Sequence, residues 1–185
     1  MAEVILETER LVLRPPVPDD LPFILERMNT RSIMRHLGGE PRPEVDVEQG
    51  LRDDIAAFAS GEWQRFMICL RGGEPIGRTG IFTIRSEAAP EHLRGQREIG
   101  WTLAEDHWAQ GYATEAARAV LAFAFGDLGI DEIFAQTSDS NASSTKVMHR
   151  LGLKPRPELG FHDPDYPPQD NPTTVWSLRA EDFDG

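Results

Sequence analysis

The amino-acid sequence predicts an α+β fold in which helices flank a mixed β-sheet. Two segments, 66–70 and 99–103, alternate at the two-residue period of a β-strand. The segment 113–128 instead carries its apolar residues along one stripe of an amphipathic helix. Strands and helices do not alternate strictly, and one strand–helix–strand crossover is present, so the order disfavours a doubly wound parallel sheet.

The first third of the chain is predicted to contain one strand and two or three helices. The strand spans 4–14 and is ended by three prolines. Asp19 is placed to cap the first helix, and a short helical piece follows at 33–37. Apolar residues at helical spacing across 47–58 predict a longer helix, which Gly61 ends.

The remainder of the chain is predicted to contain most of the sheet. The expected elements are the strands 66–70, 76–84 and 99–103, the helix 113–128, the strand 133–137, the helix 141–151 and the strands 159–161 and 174–178. A glycine-rich turn at 71–74 joins the first two of these strands as a hairpin. Gly129 and Gly152 are predicted to end the two helices.

Composition and charge narrow the function classes. A length of 185 residues with 39% hydrophobic residues suits one domain, 1–185. With 19 basic and 31 acidic residues, the net charge of −12 argues against a broad basic surface for nucleic acid or a membrane. The longest apolar run, 119–125, is far shorter than the ~20 residues of a membrane span. Because no signal-peptide pattern is present, a cytoplasmic location is the default expectation.

Cysteine and histidine usage argues against a metal centre. One cysteine, Cys69, excludes an intrachain disulfide and a multi-cysteine zinc site. Its place in an apolar strand predicts a buried small side chain rather than a nucleophile. The histidines lack metal-ligand spacing, so no metal ligands are predicted. The tryptophans are predicted to be core or cleft wall: Trp63, Trp101, Trp108 and Trp176.

A turn of small residues leads directly into the predicted helix 113–128. Gly111 and Ala113 allow a tight turn there, and several N–H groups at a helix start lack intrahelical partners. Together with the positive end of the helix dipole, these groups favour a phosphate or pyrophosphate. The alternative is that Gly111 only permits a tight turn before a core helix, and the turn alone does not decide between the two.

A second polar cluster, Asn141-Ala142-Ser143-Ser144-Thr145, begins the helix about thirty residues later. By itself it is typical of a polar N-cap. The two clusters flank a single strand, and this pairing favours a shared binding site.

With both clusters in view, the chain resembles the GNAT acetyltransferase superfamily, in a branch similar to the RimJ/RimL-type ribosomal-protein N-acetyltransferases. The matching stretches are Thr8-Glu9-Arg10-Leu11-Val12-Leu13-Arg14, Glu98-Ile99-Gly100-Trp101, Trp108-Ala109-Gln110-Gly111-Tyr112-Ala113-Thr114-Glu115-Ala116, Asn141-Ala142-Ser143-Ser144 and Leu151-Gly152-Leu153. The order of elements fits the family from about residue 7 to residue 180. The resemblance implies a mixed, mostly antiparallel sheet whose two central parallel strands splay apart.

The resemblance also implies acetyl-CoA as cosubstrate, bound between the splayed strands. Backbone amides of Gln110, Gly111, Tyr112, Ala113 and Thr114 would hold the pyrophosphate. The strand from Trp101 to Leu103 would pair with the pantetheine arm. Asn141 would hydrogen-bond that arm, and Ser144 would lie near the sulfur.

Three positions depart from the family pattern. Trp108 stands where a basic residue or glutamine is usual, and Ala109 stands where this branch often has glycine. Met148 replaces a tyrosine that many members use to protonate the thiolate, and methionine donates no proton. Ser144, or a water, is therefore the better candidate for stabilising the leaving group.

The implied reaction is direct attack of a primary amine on the thioester in a ternary complex. An α-amino group has a pKa of about 8, against about 10.4 for lysine. A protein or peptide N-terminus therefore loses its proton to a general base more easily than a lysine side chain does. Glu98 is the candidate base because it begins the strand that lines the cleft. A solvated strand-end carboxylate is the alternative, and His162, Asp163 and Asp165 are rivals.

The loop 155–173 is long, irregular and proline-rich, and it is expected to border the acceptor side of the cleft. The acceptor itself, small molecule or protein N-terminus, is left open by the sequence. The oligomeric state is equally open, a homodimer included. The alternatives to an enzyme are a non-catalytic acyl-CoA sensor on the same fold and an interaction module without cofactor.

Overall fold

The computed structural model describes residues 6–61 and 65–185. Its strands are β1 (Leu6–Glu7), β2 (Leu11–Arg14), β3 (Arg65–Leu70), β4 (Pro75–Thr83), β5 (Arg97–Leu103), β6 (Glu132–Ser138), β7 (Lys154–Pro155) and β8 (Thr173–Arg179). They form one sheet in the order β1-β2-β3-β4-β5-β6-β8-β7. Only β5 and β6 pair in parallel; every other neighbouring pair of these described strands is antiparallel. The predicted α+β class and mostly antiparallel sheet are confirmed.

The helices connect these strands in the predicted order. A continuous helical segment, α1, comprises Pro18–Asp20 in 3₁₀ geometry, Leu21–Phe23 in α geometry and Ile24–Met28 in π geometry. It is followed by α2 (Arg31–Met34), α3 (Glu44–Ala59), α4 (Tyr112–Gly126) and α5 (Ala142–Arg150). Gly61 and Gly152 have φ angles of +82° and +83°, as expected of residues that end helices.

The central parallel strands separate, as the family resemblance implied. The register between β5 and β6 consists of one pair, Glu98 with Phe134, near the N-terminal ends of both strands. Beyond that pair the two strands diverge, and residues of both line a cleft. The unpaired strand edges are therefore available to a ligand at this point.

The sheet has two faces of different character because successive side chains of a strand point to opposite sides. One face carries Phe66, Ile81 and Ile99 and packs against α4 in the largest apolar core. The opposite face of β3, β4 and β5 carries Arg65, Arg78 and Glu98, as the registers require. The cleft is lined from both faces where the strands part, by Arg78 and Glu98 of the polar face and by Ile99 and Leu103 of the face that packs against α4.

Two predictions in the N-terminal third are wrong in detail. The predicted strand 4–14 is two short strands, because the backbone N–H of Thr8 donates to the Leu11 carbonyl and closes a turn between them. Residues 4 and 5 lie outside the described residues, as does Trp63. Asp19 does not close the first helical turn. The buried carboxylate of Asp20 does so, accepting from the Val17 N–H at 2.8 Å and from Arg14.

Two further boundaries differ in the C-terminal half. Helix α4 ends at Gly126 rather than at Gly129, which has a φ of +62° in the turn that follows. The predicted strand 159–161 is a 3₁₀ turn, Pro157–Leu159, followed by a single bridge to β8. Leu159 is buried, so its apolar character reflects packing of a turn and not a strand.

Candidate functional site

A cleft of about 1350 Å³ opens where β5 and β6 separate. Its walls come from β4, β5, β6, the starts of α4 and α5, the α2 region and the loop 163–173. The predicted site residues that line it are Glu98, Trp101, Leu103, Gly111, Tyr112, Ala113, Thr114, Asn141 and Ser144. Residues far apart in the sequence thus meet in one cavity.

The start of α4 forms one end of the cleft. Gly111 precedes the helix with a φ of +85°, a left-handed conformation that glycine adopts without strain. The hydroxyl of Thr114, in the first turn, is buried and has no hydrogen-bond partner among the described residues. Buried polar groups in proteins normally have a hydrogen-bond partner. An unpaired hydroxyl beside helix-start amides without intrahelical partners therefore fits a phosphate group.

Ala109 lies two residues before Gly111 in the same turn. Its φ is +60°, and it is the one described non-glycine residue with a positive φ. The left-handed conformation costs an alanine roughly 1–2 kcal/mol. The departure noted in the sequence, alanine where the branch often has glycine, therefore falls on a strained backbone position.

A clamp formed by Arg10 and Glu115 fixes the turn from outside. The Glu115 carboxylate accepts from the Arg10 backbone N–H at 2.9 Å, from the Arg10 guanidinium and from the Thr8 hydroxyl. Arg10 also donates to the Gln110 carbonyl at 3.1 Å and lies over the Tyr112 ring. Burial would raise the pKa of Glu115, but these hydrogen bonds outweigh it and lower the pKa below its usual range. Sequence reasoning missed this role, although Thr8 and Arg10 stood in a matched stretch.

Two predicted cofactor-binding residues, Gln110 and Leu103, have polar groups that bond within the protein, while the predicted role of the Gln110 backbone amide is untouched by this. The Gln110 side chain turns back to donate to the Asp106 carbonyl at 2.9 Å, and Gln110 is not among the described residues that line the cleft. The Leu103 carbonyl accepts from the indole N–H of Trp108 at 2.8 Å, and its side chain is buried. Trp108 is thus an exposed part of the cleft wall whose polar end holds the end of β5.

The start of α5 faces the turn at Gly111 across the cleft. The Asn141 side-chain oxygen caps the helix by accepting from the Ser144 backbone N–H at 3.1 Å. No hydrogen bond of the Ser144 hydroxyl to another described residue is present, and the hydroxyl belongs to the cleft lining. Met148 is buried in the core beneath it. The capping residue is therefore Asn141, and Ser144 has no capping role.

Glu98 sits at the point where β5 and β6 part. It accepts a hydrogen bond from the Gln136 side chain at 2.6 Å. Burial raises the pKa of Glu98 above its usual range, and the Gln136 hydrogen bond opposes only part of that rise. A half-buried carboxylate with a raised pKa in a cleft has the properties of a general base.

The loop 163–173 brings further acidic groups to the same side of the cleft. Asp163, Asp165, Tyr166 and Asp170 line it, whereas His162 is not among the described residues that do so. Asp163 is buried and accepts from the Ser86 hydroxyl at 2.8 Å, which ties the loop to the end of β4. Burial and the neighbouring carboxylates raise the pKa of Tyr166.

The other residues considered as candidates from the sequence, Cys69 and Trp176, are buried in the protein interior. Cys69 is buried in β3, where burial raises its pKa, as expected of an inert thiol. Trp176 lies in the main core, and its indole N–H has no described partner.

Across 6–61 and 65–185, no three histidine, cysteine or acidic side chains are grouped to hold a metal ion. No helix in those ranges is long and apolar enough to cross a membrane.

The comparisons with known proteins agree on one family. Residues 10–154 match the family model described as an acetyltransferase (GNAT) domain. The chain is 35% identical to the uncharacterised N-acetyltransferase YnaD of Bacillus subtilis over 150 residues, which cover 80% of this chain and 82% of that protein. It is 29% identical to an FsC-acetyl coenzyme A-N(2)-transacetylase of Aspergillus fumigatus over 173 residues, 90% of this chain and 72% of that protein. An acetyltransferase from Agrobacterium tumefaciens has a crystal structure with a TM-score of 0.75 and 29% identity, covering 97% of this chain and 96% of that one.

Proposed function

The chain belongs to the GNAT acetyltransferase family, and from that premise we propose that it transfers an acetyl group from acetyl-CoA to a primary amine in a ternary complex. One observation carries the proposal. The same cleft holds a glycine turn at a helix start, with the unpaired Thr114 hydroxyl, at one end and a half-buried carboxylate, Glu98, at the point where the strands part.

The residues at the α4 end fit a coenzyme A pyrophosphate. The unpaired Thr114 hydroxyl and the left-handed Gly111 leave donors and space at the helix start. The strand edge at Trp101 and the side-chain amide of Asn141 would hold the pantetheine arm. When bound, acetyl-CoA supplies the thioester that makes the acyl group reactive.

Glu98 would accept the proton that the amine loses. As that proton leaves, the new N–C amide bond forms and the C–S bond of the thioester breaks, with the electron pair passing to sulfur. The raised pKa of Glu98 makes its carboxylate a stronger base than an ordinary glutamate. Gln136 holds the carboxylate in place through the 2.6 Å hydrogen bond.

Ser144 would stabilise the sulfur as the thioester breaks. Its hydroxyl is free of the helix cap, and the start of α5 offers partial positive charge to the developing anion. A serine hydroxyl is too weak an acid to deliver the proton itself. We therefore assign it a hydrogen bond to the leaving group, with water as the proton donor.

An N-terminal α-amine is the acceptor that the resemblance to the ribosomal-protein N-acetyltransferases favours. Its lower pKa suits a single carboxylate base. The similarity to a protein named as an N(2)-transacetylase supports acetyl-CoA as the donor and nitrogen as the acceptor atom. A cytoplasmic location remains part of the proposal and rests on the sequence.

The deciding experiment measures thiol release from acetyl-CoA with a panel of amines: N-terminal peptides, amino acids, polyamines and aminoglycosides. An enzyme releases free coenzyme A with at least one class. A non-catalytic acyl-CoA sensor would bind acetyl-CoA without releasing thiol. An interaction module without cofactor would show no rise in Tm with coenzyme A, and that result would end the proposal.

A further inference from the structure

Two glycines face each other on the polar face of the sheet. Gly80 of β4 pairs with Gly100 of β5, and Arg65 of β3 pairs with Gly80, so the three residues form one row across the strands. Residues in register on neighbouring strands share a face. The Phe82 ring covers Gly100, since a Cβ there would lie 3.3 Å from it, and Arg65 lies over the same ring. An aromatic side chain therefore forms the floor beside Arg65.

Charged residues lie in the rows on either side of this glycine row. Arg78 pairs with Thr102 in the neighbouring row on one side, and Phe82 pairs with Glu98 in the neighbouring row on the other. Arg65, Arg78 and Glu98 all line the cleft. The floor of the cleft is therefore positive towards β3 and negative towards β6.

The positive side carries an uncompensated charge. One carboxylate oxygen of Asp54, on α3, lies 3.3 Å from Arg65 Nη1 and 3.9 Å from Arg78 Nη1. The second distance exceeds a hydrogen bond, and among the described residues this ion pair is the only contact of Arg78 with an acidic group at such range. Two guanidinium groups thus share one carboxylate, which leaves one positive charge unmatched.

The side chains of this cluster are largely removed from water. Their exposed fractions are 33% for Arg65, 22% for Arg78 and 11% for Asp54. Burial and the nearby Arg65 lower the pKa of Arg78 to about 9, so its guanidinium stays charged at neutral pH. A partly buried guanidinium without a full set of acceptors is suited to an incoming anion, since Arg binds carboxylates through paired N–H groups.

The negative side contains more than Glu98. Asp163, Asp165 and Asp170 line the same cleft, and one oxygen of Asp170 is buried without a partner among the described residues. Such a group favours a cationic or N–H-bearing ligand. An ammonium group entering the cleft is therefore drawn to the end where Glu98 stands.

Phe82 connects the positive side of the cleft with Glu98. The Arg65 guanidinium lies 5.1 Å from the centre of the Phe82 ring, and Phe82 pairs with Glu98 on the neighbouring strand. Arg65 and Glu98 therefore flank the same aromatic side chain on one face of the sheet. A ligand that reaches both groups crosses one aromatic side chain, which favours a small molecule of one or two residues at roughly 3.5 Å per extended residue.

We propose that Arg65 and Arg78 bind a carboxylate of the acetyl acceptor while its amine reaches Glu98, so that the acceptor is an aminocarboxylate such as an amino acid or short peptide. This inference rests on the proposed acetyl transfer and specifies its acceptor. A polyamine would instead bring a second cation against two guanidinium groups, which is unfavourable.

The test compares two acceptors that share an amine and differ in one charge. Glycylglycine carries a free carboxylate, and glycylglycinamide has the same chain without it. We expect kcat/KM to be at least tenfold higher for glycylglycine. Spermidine is expected to be a poorer acceptor than glycylglycine, and equal turnover of the acid and the amide would overturn the inference.

A variant that removes the positive charge of Arg78 tests whether this residue causes the preference for the acid. Arg78→Gln leaves the Arg65–Asp54 ion pair in place and is expected to bring the ratio of kcat/KM for the acid to kcat/KM for the amide close to one. Arg52→Gln is the matched control, because Arg52 is an exposed residue of α3 that pairs with Glu48 and does not line the cleft. A folded Arg78→Gln protein that kept its preference for the acid would also overturn the inference.

Equilibrium binding separates this inference from the acetyl-transfer proposal. Calorimetry of both glycyl compounds against the coenzyme A-saturated protein reports the anion site even where no thiol is released. Preferential binding of the acid without turnover supports the anion site and contradicts acetyl transfer. Turnover of many amines without any preference for the acid supports acetyl transfer and contradicts the anion site.

Discussion

At the α4 end of the cleft, the groups that we propose bind the cofactor are mostly backbone amides around Gly111, whereas the groups that we propose bind the acceptor are side chains from separate segments. The first end is one continuous turn, held from outside by Arg10 and Glu115. The second combines Glu98 on β5, Asp163 in a distant loop, and Arg65 and Arg78 on two further strands.

The two ends are therefore sensitive to different kinds of substitution. A backbone site depends on conformation, so it responds to residues that alter φ or fill the turn. A side-chain site depends on chemical groups, so it responds to isosteric replacements that leave the fold intact. Variants that change either conformation or a single chemical group separate the two kinds of response.

The largest effect is expected at the side-chain end. Glu98→Gln keeps an oxygen for Gln136 but removes the base, and kcat/KM should fall about a hundredfold or more. In the wild type, the rate should decline as pH falls through the raised pKa of Glu98, because the protonated carboxyl accepts no proton. Rate profiles from pH 5 to 9 test both points, and an unchanged acid limb in Glu98→Gln would contradict the assignment.

The same variant makes a stability prediction with a definite sign. A carboxyl whose pKa is raised by folding binds its proton more tightly in the folded state, so it destabilises the protein as pH rises through that pKa. Glu98→Gln removes this penalty. Its Tm at neutral pH should equal or exceed that of the wild type, and a lower Tm would show that Glu98 is structural.

Ser144→Ala is expected to lower kcat about ten- to a hundredfold, with little change in acetyl-CoA affinity, because one hydrogen bond to the leaving group is lost. The cap is supplied by Asn141, so Tm should be unaffected. Asn141→Ala is the contrasting variant, since losing that cap should cost about 1 kcal/mol of stability. An unchanged kcat in Ser144→Ala would end its catalytic assignment.

Gly111→Val probes the backbone end. A side chain there meets the Arg10 guanidinium at 3.4 Å and requires a φ of +85°. Coenzyme A affinity should fall more than tenfold, or about 1.4 kcal/mol. Gly95→Val is the matched control: its φ is +82°, no atom lies within 4 Å, and it does not line the cleft. Equal coenzyme A affinities in the two variants would refute the pyrophosphate assignment.

The smallest effect is expected at Ala109. Glycine relieves the left-handed strain but increases the entropy of the unfolded chain, so Ala109→Gly should stabilise the protein by about 0.5 kcal/mol. Ala122→Gly, on the exposed side of α4, should destabilise it by about 1 kcal/mol. Urea denaturation measures both, and changes of the same sign would contradict the strain argument.

Local sequence patterns were enough to predict most of the order of elements, the helix start after Gly111 and a polar N-cap within the cluster 141–145. Each depends on neighbours in the chain: side-chain periodicity, a glycine conformation or a side-chain oxygen three residues from an N–H. The strand predicted at 159–161 was wrong for the same reason, since local alternation does not distinguish a buried turn from a strand.

Which side chains meet depends on the fold of the whole chain. The register of β3, β4 and β5 places Arg65 beside Gly80 and Glu98 beside Phe82, and a shift of one residue would move these side chains to the other face. The Arg10–Glu115 clamp joins residues 105 positions apart. Such contacts are set by packing of the whole sheet against its helices, and no local pattern in the chain encodes them.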